Sequence, residues 1–108
     1  MAGIGRGKVF ADGQLANAKA TLYTVPTDKV AYVKFLSVHN TTGGALTVTI
    51  YVNTSGTSRV IYSASLAAST SAQVIGAAAL VLEGGDIIEG AASAATSIDY
   101  VITGIEES

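Results

Sequence analysis

The chain has 108 residues, enough for one domain, and its 6 basic and 8 acidic residues leave a net charge of −2. Charged residues make up only 13% of the chain, whereas soluble domains usually carry about 25%. Alanine, glycine, threonine and serine number 18, 12, 12 and 10. The surface must therefore consist largely of small, weakly polar side chains, which suits burial against further copies or against a scaffold.

The same composition excludes several classes of protein. The six cations are scattered along the chain and provide no basic surface for nucleic acid. The longest apolar stretch, residues 74–82, has nine residues, and a membrane-spanning helix needs about 20. Asp12 and Lys19 interrupt the region where a secretory signal would be apolar, so we expect synthesis in a cytoplasm without export. The absence of cysteine excludes disulfides, thiolate metal sites and thiol nucleophiles within these residues.

An alternation of apolar and polar residues dominates the chain. In residues 46–52 every second position is apolar: Leu46, Val48, Ile50 and Val52. The positions between them, which would form the other face of a strand, are Thr47, Thr49 and Tyr51. Near the C-terminus the apolar positions of the alternation are Ile98, Tyr100 and Ile102. The other face of that strand would include Ser97, Asp99 and Thr103. This period of two predicts half-buried strands.

Turn-forming clusters at 26–28, 42–44, 53–56 and 83–86 separate the apolar runs. Strands are predicted at 20–25, 29–40, 46–53, 58–65, 73–82, 86–92 and 97–105, with a short one at 8–10. In 29–40 the apolar phase changes after Phe35, so either both faces are covered or a bulge shifts the register. Residues 64–79 are rich in alanine, but their Ser, Thr and Gly content favours strands over a helix.

This pattern predicts an all-β fold, an antiparallel β-sandwich or jelly roll of seven to eight short strands. The domain is expected to span residues 8–108, and residues 1–7, with three glycines, are expected to form a flexible N-terminal arm.

The sequence contains no complete motif for a catalytic, metal or cofactor site, and we predict none. Residues 3–8 resemble a phosphate-binding loop, but Val9 stands where that loop needs Ser or Thr. His39, the one histidine, is interpreted as a strand residue that is hydrogen-bonded or solvent-facing rather than as a catalytic base. Glu83, Asp86 and Glu89 lie close in sequence but fit no calcium loop, and Asp86 is predicted to accept backbone hydrogen bonds in a turn.

Two other patterns are open to a binding interpretation. The acceptor pattern for N-glycosylation occurs at Asn40 and Asn53, where turns are the preferred interpretation. The tyrosines could stack on a carbohydrate, but they are spread over five predicted strands and suit core edges or interfaces better: Tyr23, Tyr32, Tyr51, Tyr62 and Tyr100.

Five segments carry a resemblance to a known class of protein: residues 22–26 (LYTVP), 31–34 (AYVK), 40–42 (NTT), 81–88 (VLEGGDII) and 98–104 (IDYVITG). Together they resemble the small β-sandwich accessory proteins of tailed bacteriophage virions, which include head decoration, cement, neck and tail-associated proteins. The resemblance implies a non-enzymatic virion component that forms trimers or other rings and binds major capsid or tail proteins. Residues 82–86 also resemble a turn of cupin jelly rolls, although the paired metal-binding histidines of cupins are missing here.

The function predicted from these observations is a capsid decoration protein that oligomerises and stabilises a phage particle. The alternative is a tail-fibre or receptor-binding tip whose tyrosines and turn loops contact a cell-surface glycan. The candidate interface between copies consists of the outward-facing, weakly polar positions of the two clearest strands: Thr47, Thr49, Tyr51, Ser97 and Thr103.

Overall fold

The computed structural model describes residues 6–75 and 80–107, which form nine β-strands in two packed sheets. This confirms the predicted all-β antiparallel sandwich, with nine strands in place of seven to eight. The strands are β1 (Arg6–Gln14), β2 (Ala20–Thr24), β3 (Val30–Asn40), β4 (Leu46–Thr54), β5 (Thr57–Leu66), β6 (Ser71–Ile75), β7 (Leu80–Glu83), β8 (Ile87–Ala92) and β9 (Ile98–Glu107).

Two strand predictions need correction. The predicted strand 73–82 is two strands, β6 and β7, which pair with opposite ends of β3; residues 76–79 between them lie outside the described part. The short strand predicted at 8–10 is the nine-residue β1. Its alternation is obscured by Gly7, Asp12 and Gly13, and pairing with β9 holds it extended. Of the predicted flexible arm, residues 1–5 lie outside the described residues, and β1 begins at Arg6.

The strand order identifies the sandwich as a jelly roll. One sheet, here called sheet A, has the order β1-β9-β3-β6, with β7 also paired to β3; the other, sheet B, has the order β2-β8-β4-β5. The first strand thus pairs with the last, the second with the second-last, and the third with β6 and β7, around the central hairpin β4–β5. All these pairings are antiparallel. Nested antiparallel pairing across two sheets is the jelly-roll topology.

The core lies between the two sheets and is built by the alternation seen in the sequence. Val48 and Ile50 of β4 and Ile98 and Ile102 of β9 are completely buried. Burying each such side chain stabilises the fold by roughly 1.5–3 kcal/mol. Because β4 belongs to sheet B and β9 to sheet A, their polar phases point to opposite sides of the sandwich.

The change of phase within β3 is caused by a bulge. The pairing of β3 with β9 shifts between Val33 and Phe35, so that Lys34 is the extra residue. Val33 and Leu36 are consequently both buried, whereas Lys34 is exposed. A bulge was one of the two explanations that the sequence left open, and it is the correct one.

Gly104 allows β9 to pass close to β3. A Cβ at this position would overlap the backbone carbonyl oxygen of Tyr32 and lie 2.9 Å from a ring carbon of Phe10. No side chain can be accommodated there without moving the backbone of β3. The glycine is therefore needed for the pairing at the centre of sheet A.

Asn40 closes one end of the core. It is fully buried, and its amide nitrogen donates to the carbonyl oxygens of Gly44 at 2.8 Å and Leu66 at 3.0 Å. Its side-chain oxygen accepts hydrogen bonds from the backbone nitrogen and hydroxyl of Thr42, at 2.9 and 2.7 Å. The residue thus connects β3, the following turn and the end of β5. Its amide is unavailable for glycosylation, as the turn interpretation implied.

Candidate assembly surfaces

Three of the five predicted interface residues lie together on the outer face of sheet B. Val48, Ile50 and Val52 point into the core, so Thr47, Thr49 and Tyr51 point outwards along β4. Opposite Thr49 on β5 is Ser63, with 3.5 Å between the two hydroxyl oxygens. The surface around Thr47, Thr49 and Ser63 is weakly polar, whereas Tyr51 lies beside the charged residues Glu89 and Lys19.

The other two predicted residues lie elsewhere. Thr103 is on β9, between Val9 of β1 and Phe35 of β3, and faces outwards from sheet A. Ser97 precedes β9, and its hydroxyl donates to the carbonyl oxygen of Ala95 at 3.0 Å. The five residues therefore do not form one continuous face, because their strands belong to opposite sheets. That these surfaces bind a partner remains a prediction.

A polar cluster on the outer face of sheet B was not anticipated. Glu89 faces outwards on β8 yet is only 9% exposed. Its carboxylate accepts a hydrogen bond of 2.5 Å from the hydroxyl of Ser58. That hydroxyl in turn accepts hydrogen bonds from Lys19 Nζ at 3.0 Å and Asn53 Nδ2 at 3.4 Å. Lys19 Nζ also lies 5.4 Å from the ring centre of Tyr51, which is within the range of a cation–π interaction.

The position of Glu89 also separates the acidic residues considered as a cation site. Asp86 accepts a hydrogen bond from the backbone nitrogen of Glu83 at 2.9 Å, which confirms its predicted role in the turn. Glu89 instead belongs to the Ser58 cluster. Among residues 6–75 and 80–107, no group of three potential metal-ligating side chains is close enough to hold an ion.

His39 lies in a polar row that crosses four strands of sheet A. The register places Gln14, Asp99, His39 and Ser71 side by side on β1, β9, β3 and β6. His39 Nδ1 is 2.6 Å from the hydroxyl of Ser71, whereas Asp99 accepts a hydrogen bond of 3.0 Å from Gln14. Within the described residues, His39 and Asp99 form no ion pair. The row contains the residue types of a catalytic triad without the hydrogen bond between acid and histidine that a triad requires.

The tyrosines do not form a common platform. They lie on five different strands, as predicted. Tyr100 is buried in the core, and Tyr62 is partly buried and packs against the core cluster. Tyr51 and Tyr32 face outwards from opposite sheets, as their cross-strand partners Glu89 and Ile105 show.

At one end of the sandwich, Tyr23 takes part in a cluster with Phe10, Glu106 and Lys8. Its ring stacks on Phe10 with the centroids 4.7 Å apart, and its hydroxyl donates to Glu106. The other carboxylate oxygen of Glu106 is 3.0 Å from Lys8 Nζ. Hydrogen bonding to Tyr23, and then to Lys8, lowers the pKa of Glu106, whereas burial and the nearby carboxylate raise the pKa of Tyr23.

Comparison with known proteins shows a similarity in fold to a solved structure. No family model matches the chain, and no curated protein matches it. Among solved structures, a chain of the disulfide-linked pili formed by Bacillus endospore appendages superposes with a TM-score of 0.60 at 18% identity, covering 99% of this chain and 88% of that one. The shared feature is the fold. A chain from infectious bursal disease virus, Gt strain, is 16% identical with a TM-score of 0.32 and covers 94% of this chain and 32% of its own; this similarity is too low to support an argument.

The described residues contain no helix that is long and apolar enough to cross a membrane.

The chain differs from the similar pilus structure in one chemical respect. The pili are described as disulfide-linked, and the 108 residues of this chain contain no cysteine. A disulfide between copies is therefore unavailable to these residues.

Proposed function

We propose that this protein is a non-enzymatic structural subunit that associates with further copies of itself. The observation that carries the proposal is the distribution of its exposed large hydrophobic residues. In the described part of the chain these are Val9 and Val81, on β1 and β7 of sheet A, and a patch of the adjacent Val60 and Ile61 on β5 of sheet B; they are 42–57% exposed. Exposed apolar side chains on both sheets of a charge-poor sandwich suit a subunit with neighbours on two sides.

Within this class, we propose a decoration or cement protein on the head, neck or tail of a tailed bacteriophage. The resemblance of the strand and turn segments to phage accessory proteins supports this assignment. The jelly roll is also a recurrent fold of viral capsid proteins. Rings such as trimers would bind several capsid or tail subunits at once, and their multivalency would hold the particle together. The protein would be made in the host cytoplasm and incorporated into the virion.

Contacts between copies through these 108 residues would not use disulfide links, because the residues include no cysteine. The small side chains on the outer face of sheet B, among them Thr47, Thr49 and Ser63, allow close backbone approach. Little charge has to be desolvated there, which lowers the cost of association.

The proposal is tested by measuring the mass of the purified full chain in solution over a range of concentrations, and its binding to phage particles. We expect concentration-dependent oligomers and particles that resist heating better once the protein is bound. Val60→Glu should weaken association because it places a charge in a patch, whereas Thr57→Glu, exposed on the same strand, should not. A monodisperse monomer that binds no particle would contradict the proposal.

The second candidate function is recognition of a cell-surface glycan at a fibre tip. The observation in its favour is the group formed by Tyr51, Lys19, Asn53 and Glu89, which combines an aromatic ring with hydrogen-bonding side chains on an outer face. A glycan array separates the two functions. Binding that is lost in Tyr51→Ala, without any stabilisation of particles, would favour the fibre tip.

A further inference from the structure

The outer face of sheet A has an apolar end and a polar end. At the apolar end, one row across the strands contains Ile105, Tyr32 and Val81. The next row contains Val9, Thr103 and Phe35. Val81 and Val9 are 54% and 56% exposed. At the polar end lies the row of Gln14, Asp99, His39 and Ser71. We call the two apolar rows the apolar band.

Opposite charges lie on the two sides of the row Ile105–Tyr32–Val81. On one side is a shallow depression of about 420 Å³ between Lys8 and Lys34, lined by Val9 and Ile105 among others. On the other side is a depression of about 360 Å³ that contains Tyr32 and the charged residues Asp28, Lys29, Glu83 and Glu107. The first depression is basic through Lys34, because Lys8 is already paired with Glu106, and the second depression has a net negative charge.

Lys34, Glu83 and Glu107 form no ion pair within the described residues, where the ion pair found is Lys8–Glu106. Lys34 is exposed because it is the extra residue of the β3 bulge. Glu107 and Glu83 both lie opposite Val30, on the two strands that flank β3. These charges are therefore available to an approaching molecule.

We propose that two copies of this chain pack outer face to outer face across the apolar band, about a two-fold axis that runs along the row Ile105–Tyr32–Val81. In this arrangement the row packs against itself, and the basic depression of each copy faces the acidic depression of the other. Lys34 of one copy then approaches Glu83 and Glu107 of its partner.

A second copy fits this surface because the surface is self-complementary under a two-fold rotation. Such an axis exchanges the two sides of the central row, so every contact between opposite charges is made twice. The half-buried ring of Tyr32 lies at the centre of the row, where aromatic residues contribute most to association. The inference rests on the proposed self-association and names one of its surfaces.

A charge-swap experiment tests the pairing of Lys34 with Glu107. Dimerisation of the full chain is measured by sedimentation for Lys34→Glu, Glu107→Lys and the double variant. Each single reversal should weaken dimerisation at least about tenfold, because like charges then face each other, and the double variant should recover most of it. Thr57→Glu, which adds a charge at an exposed position of sheet B, is the control and should leave dimerisation unchanged.

A single introduced cysteine tests the position of the axis. Because the chain has no cysteine, Ile105→Cys would carry the one thiol of each copy, and a residue on a two-fold axis faces its own counterpart. Mild oxidation should link Ile105→Cys into dimers rapidly, whereas Asn17→Cys, exposed in the loop before β2, should link slowly.

The outcomes distinguish this inference from the proposed function. Oligomers that form normally but are insensitive to the charge reversals, and whose Ile105→Cys variant does not cross-link, would overturn the two-fold contact and leave self-association intact. A monomer under all conditions would overturn both. Weakening by the single reversals without recovery in the double variant would also overturn the proposed pairing.

Discussion

Tyr23 and Glu106 meet across the open end of the sandwich, where the tyrosine hydroxyl donates a hydrogen bond to the carboxylate. Tyr23 lies on β2 of sheet B and Glu106 on β9 of sheet A, so this hydrogen bond links the two sheets. Phe10 supports the tyrosine from one side, and Lys8 binds the other carboxylate oxygen of Glu106. The link should make stability depend on pH in both directions.

In acid, the lowered pKa of Glu106 determines the sign of the effect. The stability that ionised Glu106 contributes is present above the pKa of about 4.5 that it has when unfolded, and it is lost as pH falls through the lower folded value. Tyr23→Phe removes the charge-assisted hydrogen bond and should lower the free energy of unfolding by about 1.5–3 kcal/mol at pH 7. The difference from the unmodified protein should shrink at pH 3, as measured by urea denaturation.

In alkali, the raised pKa of Tyr23 acts in the opposite direction. Its contribution is complete below the unfolded value of 10.0 and is lost as pH rises further, because ionising the phenol would place two negative charges side by side. Between pH 9 and pH 11 the free energy of unfolding should therefore fall less for Tyr23→Phe than for the unmodified protein. Tyr32→Phe is the control, since Tyr32 faces outwards from sheet A. Equal pH dependence in all three proteins would contradict the assignment.

Asn40→Ala should be among the most destabilising substitutions of a polar residue. It removes both hydrogen bonds to the carbonyl oxygens of Gly44 and Leu66 and the acceptor for Thr42, in a fully buried position. Each unsatisfied buried group costs about 1–3 kcal/mol, so we expect a total loss of at least about 3 kcal/mol. Thermal unfolding monitored by circular dichroism measures it. Asn17→Ala, at an exposed loop position, should change stability little.

Gly104→Ala should distort the centre of sheet A. The added Cβ would overlap the carbonyl of Tyr32, so β3 must shift, and the cost should reach about 3 kcal/mol or more. Gly43→Ala is the matched control because a Cβ there meets no atom within 4 Å. If calorimetry gave the two variants similar melting temperatures, the close approach of β9 to β3 would not hold.

Ser58→Ala should destabilise more than its exposure suggests. The substitution removes the hydroxyl that donates to Glu89 and accepts from Lys19, and it leaves a nearly buried carboxylate without that hydrogen bond. We expect a loss of about 1.5–3 kcal/mol in the free energy of unfolding. Ser63→Ala, on the same strand and face, removes only the 3.5 Å contact with Thr49 and should cost under about 0.5 kcal/mol. Guanidinium denaturation of both variants compares them directly.

The sequence predicted the strands well because alternation is a local property. The buried positions of β4 and β9 follow directly from residues 46–52 and 98–102. Pairing between strands is not local, since Lys8 and Glu106 are 98 residues apart. Local alternation therefore predicted that Thr49 and Thr103 point outwards, but it left open that their strands lie in opposite sheets.

Glu89 shows the same limit in the candidate site. Its neighbours in sequence, Glu83 and Asp86, suggested an acidic group, whereas its neighbours in space come from β5 and from the residues before β2. Likewise, the extra residue in β3 could be inferred from the change of phase. The bulge exposes Lys34 beside an apolar row because of the strands that flank β3. Those neighbours come from distant parts of the chain, so no local sequence pattern predicts them.

The nested pairing of the strands also implies an order of assembly within one chain. The hairpin β4–β5 joins neighbouring segments across residues 55–56, so it closes the shortest loop and should form first. Each further strand pair then forms between chain segments that the previous pair has already brought close together, and the pair β1–β9 forms last. Local opening should follow the reverse order, with the amide hydrogens of β1 exchanging fastest. Val9 lies on β1, so a neighbour that covers it would slow this first step of unfolding.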